Sequence, residues 1–598
     1  MARLRNLDDE VFEAPFNRKL FTRVLVYLKP YKKQMFVALL LMIIAACCSL
    51  AGPLLIGKVV DGITKGEQKM VFITIGIIAL LTLIGTICLR YRVKLMDTAG
   101  RKAISTLRHD LFTHIQSLSL PFFDSRSAGK IMVRVINDVN SLNNLFTGGI
   151  INVLIDVLTL FFLVGIMLVL HWKLTLISFS TLILLMIVLF VLKKKMRKAW
   201  QIVRTKTSTM NGYLHESLAG MRVTQAFVRE EENQEIFEET NKDIHTTWMK
   251  AVSYNNMFWP FIDTLSVAST IIVYFFGMKF MGSAAGMDQI TLDVLISILL
   301  YLGRFWGPIN NLSNFYNNLL TAMASLERIF EIMDTKPEVF DVREDLPELP
   351  PIQGYVDFQN VSFEYEKNQP VLQNVSFHIE PGETIALVGP TGAGKSTVVN
   401  LISRFYDVTG GALLIDGYDV REVKLHSLRS QMSVMLQDSF MFSGTVYDNI
   451  QYGRLDATRE EVIQAAKAVY AHDFIEKLPK GYDTEITERG STLSVGQRQL
   501  ISFARALLND PKILILDEAT SSIDTHTEMM IQQALDVLLQ GRTSFVIAHR
   551  LSTIRKADKI MVIDNHGIAE AGSHEELMVI PGGAYRKLSE AQYKFMEG

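Results

Sequence analysis

Six stretches of this chain are apolar for about as long as a helix needs to cross a bilayer, roughly 20 residues each. They cover residues 35–57, 71–89, 148–170, 174–192, 259–278 and 294–326. The first two carry no charge, the third contains Asp156, and the sixth contains only Arg304, with a second half rich in Asn. A chain built this way is expected to place a bundle of six helices in lipid. The whole sequence is 49% hydrophobic yet still 20% charged. The charges must therefore collect elsewhere, in a soluble part. A cleavable signal is not expected, because the first apolar run begins more than thirty residues in and lacks a small-residue cleavage site.

Lys and Arg fix the expected orientation. Arg18, Lys19, Arg23, Lys29, Lys32 and Lys33 precede the first span, Arg90, Arg92, Lys94, Arg101 and Lys102 follow the second, and Lys193, Lys194, Lys195, Arg197 and Lys198 follow the fourth. The N-terminus, the two long polar segments and everything after the sixth span are thus expected in the cytoplasm, in a multi-pass protein of the cell membrane. The third and fourth spans are joined by a very short turn, His171-Trp172-Lys173.

After Asp334 the sequence becomes acidic and Pro-rich, with Pro337, Pro347, Pro350 and Pro351. From Gly354 short β-branched runs such as 385–388 and 513–516 alternate with helical stretches, which predicts a largely parallel sheet. The expected organisation is a membrane domain over 1–334, a linker over 335–353 and a soluble α/β domain over 354–598. Net charge is −2, so nothing electrostatic favours nucleic acid as a partner. Cys47, Cys48 and Cys88 all lie in apolar runs and read as small buried residues, with neither a disulfide framework nor a metal cluster expected.

The soluble part carries recognisable chemistry. Gly389-Pro390-Thr391-Gly392-Ala393-Gly394-Lys395-Ser396 fits the phosphate-loop pattern, follows the strand-like run 384–388 and leads into a helix-like run from Thr397. Glycines let backbone N–H groups close around phosphate oxygens, Lys395 supplies a point charge and Ser396 can ligate Mg²⁺. A second apolar strand, 513–516, delivers Asp517 for Mg²⁺ and Glu518 to orient or deprotonate water.

Leu493-Ser494-Val495-Gly496-Gln497 precedes that acidic pair by about twenty residues, and His549 follows it by about thirty. The order of these motifs resembles that of ABC ATPases. With the spans included, nearly the whole chain resembles ABC exporter half-transporters, in which a six-helix membrane domain precedes a P-loop ATPase domain in one polypeptide. The resemblance implies ATP and Mg²⁺, with Tyr365 stacking on adenine and Gln437 reaching Mg²⁺ and water. It implies Leu493 to Gln497 as the signature, Asp524 in the loop after Glu518, and His549 near the terminal phosphate. Phe122-Phe123-Asp124 with residues 129–138 resembles the first coupling loop, and residues 216–231 lie where the second begins. The implied activity is ATP-driven export of an amphipathic small molecule, drug, lipid or peptide, with uptake of a metal chelate or an ATP-gated channel as alternatives.

The third signature position, usually Gly in the family, is Val495 here. The signature of one half completes the nucleotide site of the other. The departure therefore favours pairing with a different half-transporter, a homodimer being the alternative. Asn152, Asp156 and Thr159 share a helical face in the third span, as do Asn310, Asn314 and Asn317 in the sixth, and these are candidate walls of a polar substrate path.

Overall fold

The computed structural model describes residues 16–598 apart from 144, 282–289, 342, 344, 436–438, 488–489, 491, 519–524, 549–550 and 597–598. The chain divides into two compact units, Met1–Thr113 with Ile131–Asp334, and His114–Lys130 with Thr335–Gly598.

The first unit is helical. Among the described residues five stretches are long and apolar enough to cross a membrane: Arg18–Thr64, Gln68–Ser117, Ala128–Ser180, Asp263–Met281 and Leu292–Asp334. The third and fourth expected spans lie in one helical run, Ile150–Ala219, interrupted at His171, whose φ of −164° and ψ of 99° are extended. His171 Nδ1 accepts the backbone N–H of Leu174 at 3.1 Å, so the residue that breaks one helix caps the next. The outer faces carry large apolar side chains such as Phe72, Phe161, Val169 and Phe275, as expected where lipid rather than water is the solvent.

The sixth span departs from expectation. It is two helices, Leu292–Arg304 and Trp306–Asp334, separated at Phe305. Pro308 has no N–H to offer the carbonyl of Arg304 and its ring crowds it, which breaks the ladder there. The Arg304 charge is answered locally. Pro53 lies inside helix Lys32–Thr64 and leaves the Ser49 carbonyl without its helical donor. The Arg304 guanidinium donates to that carbonyl and, at 3.0 Å, to Ser49 Oγ. Beside it Tyr301 donates to the Leu50 carbonyl at 2.5 Å.

A further expectation, on the cysteines, is corrected. Cys88 is buried, but Cys47 is exposed because it lies on the outer face of its helix. In the sixth span Asn311 Nδ2 donates to Asp156 Oδ1 at 3.4 Å. Asn152, on the same face as Asp156, accepts from Arg92 at 2.6 Å. Deeper in this unit Asp138 is buried between Arg134 and Arg328, 3.0 and 2.5 Å away, and Ser325 donates to it.

The strands of the second unit are β1 (Val356–Glu364), β2 (Pro370–Ile379), β3 (Thr384–Val388), β4 (Gly410–Ile415), β5 (Tyr418–Asp419), β6 (Met432–Met435), β7 (Gly444–Thr445), β8 (Glu485–Ile486), β9 (Ile513–Glu518), β10 (Thr543–Ala548), β11 (Lys559–Asp564) and β12 (Gly567–Gly572). The main sheet has the order β12-β11-β3-β10-β9-β6 and is parallel except for β12. A smaller antiparallel sheet has the order β2-β1-β4-β5. The central strands β3, β9, β10 and β11 are buried on both faces, which is why they read as unbroken apolar runs. Successive residues alternate sides: Ile513 and Ile515 pack with Phe358 and Val356 in one core, while Leu514 and Leu516 join Leu500 and Phe503 in the other.

Candidate functional site

Level parallel strands bring the expected catalytic positions to one edge of the main sheet. β3 runs into Gly389, β9 ends in Asp517 and Glu518, and β10 ends just before His549. Ile547 of β10 lies opposite Leu387 of β3 and opposite Asp517 of β9, and Ala548 lies opposite Glu518. On the far side Met435 of β6, just before Gln437, pairs with Leu516. The chain therefore leaves all four strands at the same level, where open α/β sheets bind ligands. Gln437, Asp524 and His549 lie outside the described residues, and Glu518 is described in its backbone only.

The phosphate loop is shaped by its glycines. Gly389 has φ of 151°, and a Cβ there would lie 2.2 Å from the Ile563 carbonyl oxygen, so the strand can turn into the loop only without a side chain. Helix Lys395–Ile402 follows, with Gly394 as its N-cap. Its first N–H groups and its dipole face the loop and suit an anion. Lys395 Nζ donates to the carbonyls of Gly389 and Pro390 at 2.8 and 2.9 Å, which holds the ammonium across the loop mouth. Burial pushes its pKa below the ordinary lysine value, and the Asp517 carboxylate acts in the opposite direction. Thr391, Gly392 and Ser396 are exposed, Ala393 is half-buried, and Thr397 is buried beneath them. The exposed hydroxyl of Ser396 and the carboxylate of Asp517 are hard oxygen ligands of the kind Mg²⁺ takes.

Tyr365 lies just past β1, half-exposed, with its hydroxyl 3.1 Å from Thr397 Oγ1. Its ring meets Phe363 and Tyr406 edge-on, at centroid distances of 4.8 and 5.1 Å. The half-exposed ring is accessible to a planar ligand beside the loop.

The signature opens helix Val495–Leu508. Ser494 Oγ accepts the N–H of Gln497 at 3.2 Å, and Gln497 Oε1 accepts the N–H of Ser494 at 2.9 Å, a reciprocal cap that fixes the helix start. Leu493 is buried and its carbonyl accepts from Arg498 at 2.7 Å. Gly496 is buried against Thr527, whereas Val495 is 46% exposed.

Residues 114–130 fall in the same compact unit as the sheet. His114 Nε2 is 3.0 Å from the Thr335 carbonyl oxygen, and Ser119 Oγ accepts the N–H of Glu338 at 3.0 Å, so the segment is held by the start of the linker. Its short helix Leu120–Asp124 buries Phe122 and ends at Asp124, which accepts a hydrogen bond from Tyr406 at 2.5 Å. No motif pointed to Tyr406. Its partner lies 282 residues away in sequence, and only an aromatic next to the phosphate-loop helix could have drawn notice. The second loop region contains the helix Met221–Ala226 and lies in the other unit. Leu218, Val223, Phe227 and Val228 there are more than half exposed, Val228 at 80%.

Residues 35–309 match the family model of the ABC transporter transmembrane region, and residues 372–521 match the ABC transporter model of the ATPase. The uncharacterized ABC transporter ATP-binding protein YknV of Bacillus subtilis is 46% identical over 98% of this chain and 96% of its own length. This chain belongs to the ABC transporters. Other relatives of this transporter are a putative multidrug export ATP-binding/permease protein of Bacillus subtilis, 40% identical over 93% of the chain and 96% of the relative, and an ATP-dependent lipid A-core flippase of Syntrophus aciditrophicus, 38% identical over 99% and 98%. The transporter is a multi-pass membrane protein with an ATPase domain that binds ATP and is coupled to transport.

Proposed function

We propose that this transporter exports an amphipathic small molecule, drug or lipid from the cytoplasmic side or inner leaflet by alternating access, as one half of a dimer. The observation that carries the reading is the level ending of β3, β9 and β10 around the phosphate loop, in a chain that also supplies the membrane helices. The names of its relatives, a multidrug exporter and a lipid flippase, suggest the substrate class. Residues 1–334 form the membrane domain, 335–353 the linker and 354–598 the ATPase.

Each site residue takes one role. Backbone N–H groups of residues 389–396 and the Lys395 ammonium hold the phosphates, and Tyr365 stacks on adenine. Ser396, Asp517 and Gln437 hold Mg²⁺, which when bound neutralises charge on the phosphates. Glu518 orients or deprotonates the attacking water, and His549 donates to the terminal phosphate. Asp524 and the partner's signature close the site from the other side.

Dimerisation is supported by the apolar tip of the second loop region, where Leu218, Val223, Phe227 and Val228 present surface that water disfavours. A heterodimer is favoured by Val495, since nothing among the described residues requires Gly or Val at that exposed position. The test is to reconstitute the transporter with whatever half co-purifies and to measure ATPase stimulation by a panel of amphipathic compounds. Stimulation with outward movement of a compound is expected. Net movement toward the ATPase side would contradict export, and a stable, stimulated ATPase made of this chain alone would contradict the heterodimer.

A further inference from the structure

We propose that Tyr406 is a positioning residue that ties the adenine platform to the first coupling segment, so that nucleotide binding is felt at Asp124 through two side chains. The inference rests on the reading of Tyr365 as that platform.

Three contacts form a continuous chain, and Phe363 braces its middle. Thr397, on the phosphate-loop helix, is 3.1 Å from the Tyr365 hydroxyl. The Tyr365 ring meets the Tyr406 ring edge-on, 5.1 Å between centroids and 88° between planes. Phe363 touches both rings and is itself buried, so the pair cannot slide apart without opening the core. The Tyr406 hydroxyl donates to Asp124 Oδ2. A hydroxyl bonded to a carboxylate is among the stronger and more directional of such bonds.

The backbone that presents Tyr406 is also fixed. After helix Lys395–Ile402 the chain closes in a paired C-terminal cap: Phe405 N–H bonds to the Asn400 carbonyl and Arg404 N–H to the Leu401 carbonyl, both at 2.9 Å. Arg404 takes the left-handed position of that cap, with φ of 49°, where Gly is usual. A wholly buried guanidinium holds it there, bonded to Asp407 at 3.0 Å and to the Val423 carbonyl at 3.1 Å. Tyr406 therefore projects from a rigid corner directly downstream of the phosphate loop. Anything that reorients Tyr365 must push on Tyr406, and anything that moves Asp124 must pull on it. By linkage the two effects are reciprocal.

The test is hydrogen exchange on the full transporter in nanodiscs, with its co-purified partner half, with and without the ATP analogue AMP-PNP. In the parent the analogue is expected to slow exchange both at residues 389–397 and at 120–127. In Tyr406→Phe, which keeps the ring packing and removes the hydroxyl, slowing at 389–397 should persist while slowing at 120–127 falls at least threefold. Asp124→Ala, on an exposed position, should do the same. Undiminished protection of 120–127 in both variants would overturn the relay. Absence of protection at 389–397 in the parent would overturn the nucleotide site itself, and the relay with it.

Discussion

A Cβ on Gly496 would lie 2.3 Å from the Thr527 methyl carbon, whereas the neighbouring Val495 is 46% exposed. The two signature positions where the family usually has Gly thus answer to different constraints. Position 496 is fixed by packing within this chain. Position 495 is not so held among the described residues, and in the proposed dimer any requirement there comes from what the signature faces in the partner.

The first prediction follows. Gly496→Ala should destabilise the ATPase domain by about 1–3 kcal/mol, the usual cost of overpacking. Val495→Gly should cost less than about 0.5 kcal/mol, the propensity difference at a helix start. Thermal unfolding of the purified transporter would read both. In a heterodimer Val495→Gly should alter nucleotide behaviour at the partner's phosphate loop and spare the Lys395 site. In a homodimer both sites would change together.

Lys395→Ala should weaken nucleotide binding itself, because the ammonium spans the loop mouth between the carbonyls of Gly389 and Pro390. Tyr365→Ala should cost about 1–3 kcal/mol of affinity, the range for removing an aromatic from beneath a base. Tyr365→Phe should cost far less. Titration with a fluorescent ATP analogue measures all three, and unchanged affinity in the two alanine variants would refute the assigned roles.

Arg304→Leu should destabilise the membrane domain by about 1–3 kcal/mol, since it strands the Ser49 carbonyl that Pro53 leaves open. With Pro53→Ala in the same chain the helix supplies its own donor, and the double variant should lose less than the sum of the single losses. Simple additivity would show that the two residues act independently.

The spans were legible because a bilayer demands apolar runs of fixed length, and the phosphate loop because its glycines and lysine serve chemistry that few sequences imitate. Contacts between distant parts were not legible. Arg304 could be seen as a charge in an apolar run, but its answer at Ser49 lies 255 residues away, and Asp124 lies 282 residues from Tyr406. The contact of Asn311 with Asp156 was not legible either, because helical spacing groups residues on one face without saying which face meets the third span. The break at Phe305 had its signal in Pro308, but the apolar run continued across it.

Asp156→Asn tests the polar path. If Asp156 faces substrate, substrate-stimulated ATPase should change while basal activity and thermal stability hold. If its contact with Asn311 serves helix packing, stability should fall first, by about 1 kcal/mol as for other hydrogen bonds between membrane helices. Parent-like behaviour in both assays would refute both roles.

Glu518, at the end of β9, is proposed to drive transport by hydrolysis. The direct measurement is ATP hydrolysis and ATP-dependent movement of a fluorescent amphipathic dye in the same vesicles, parent against Glu518→Gln. The variant should bind ATP normally, lose hydrolysis by about 10²–10⁴-fold and lose dye movement with it. Near-normal hydrolysis, or dye movement that continues at the parent rate without it, would contradict the account.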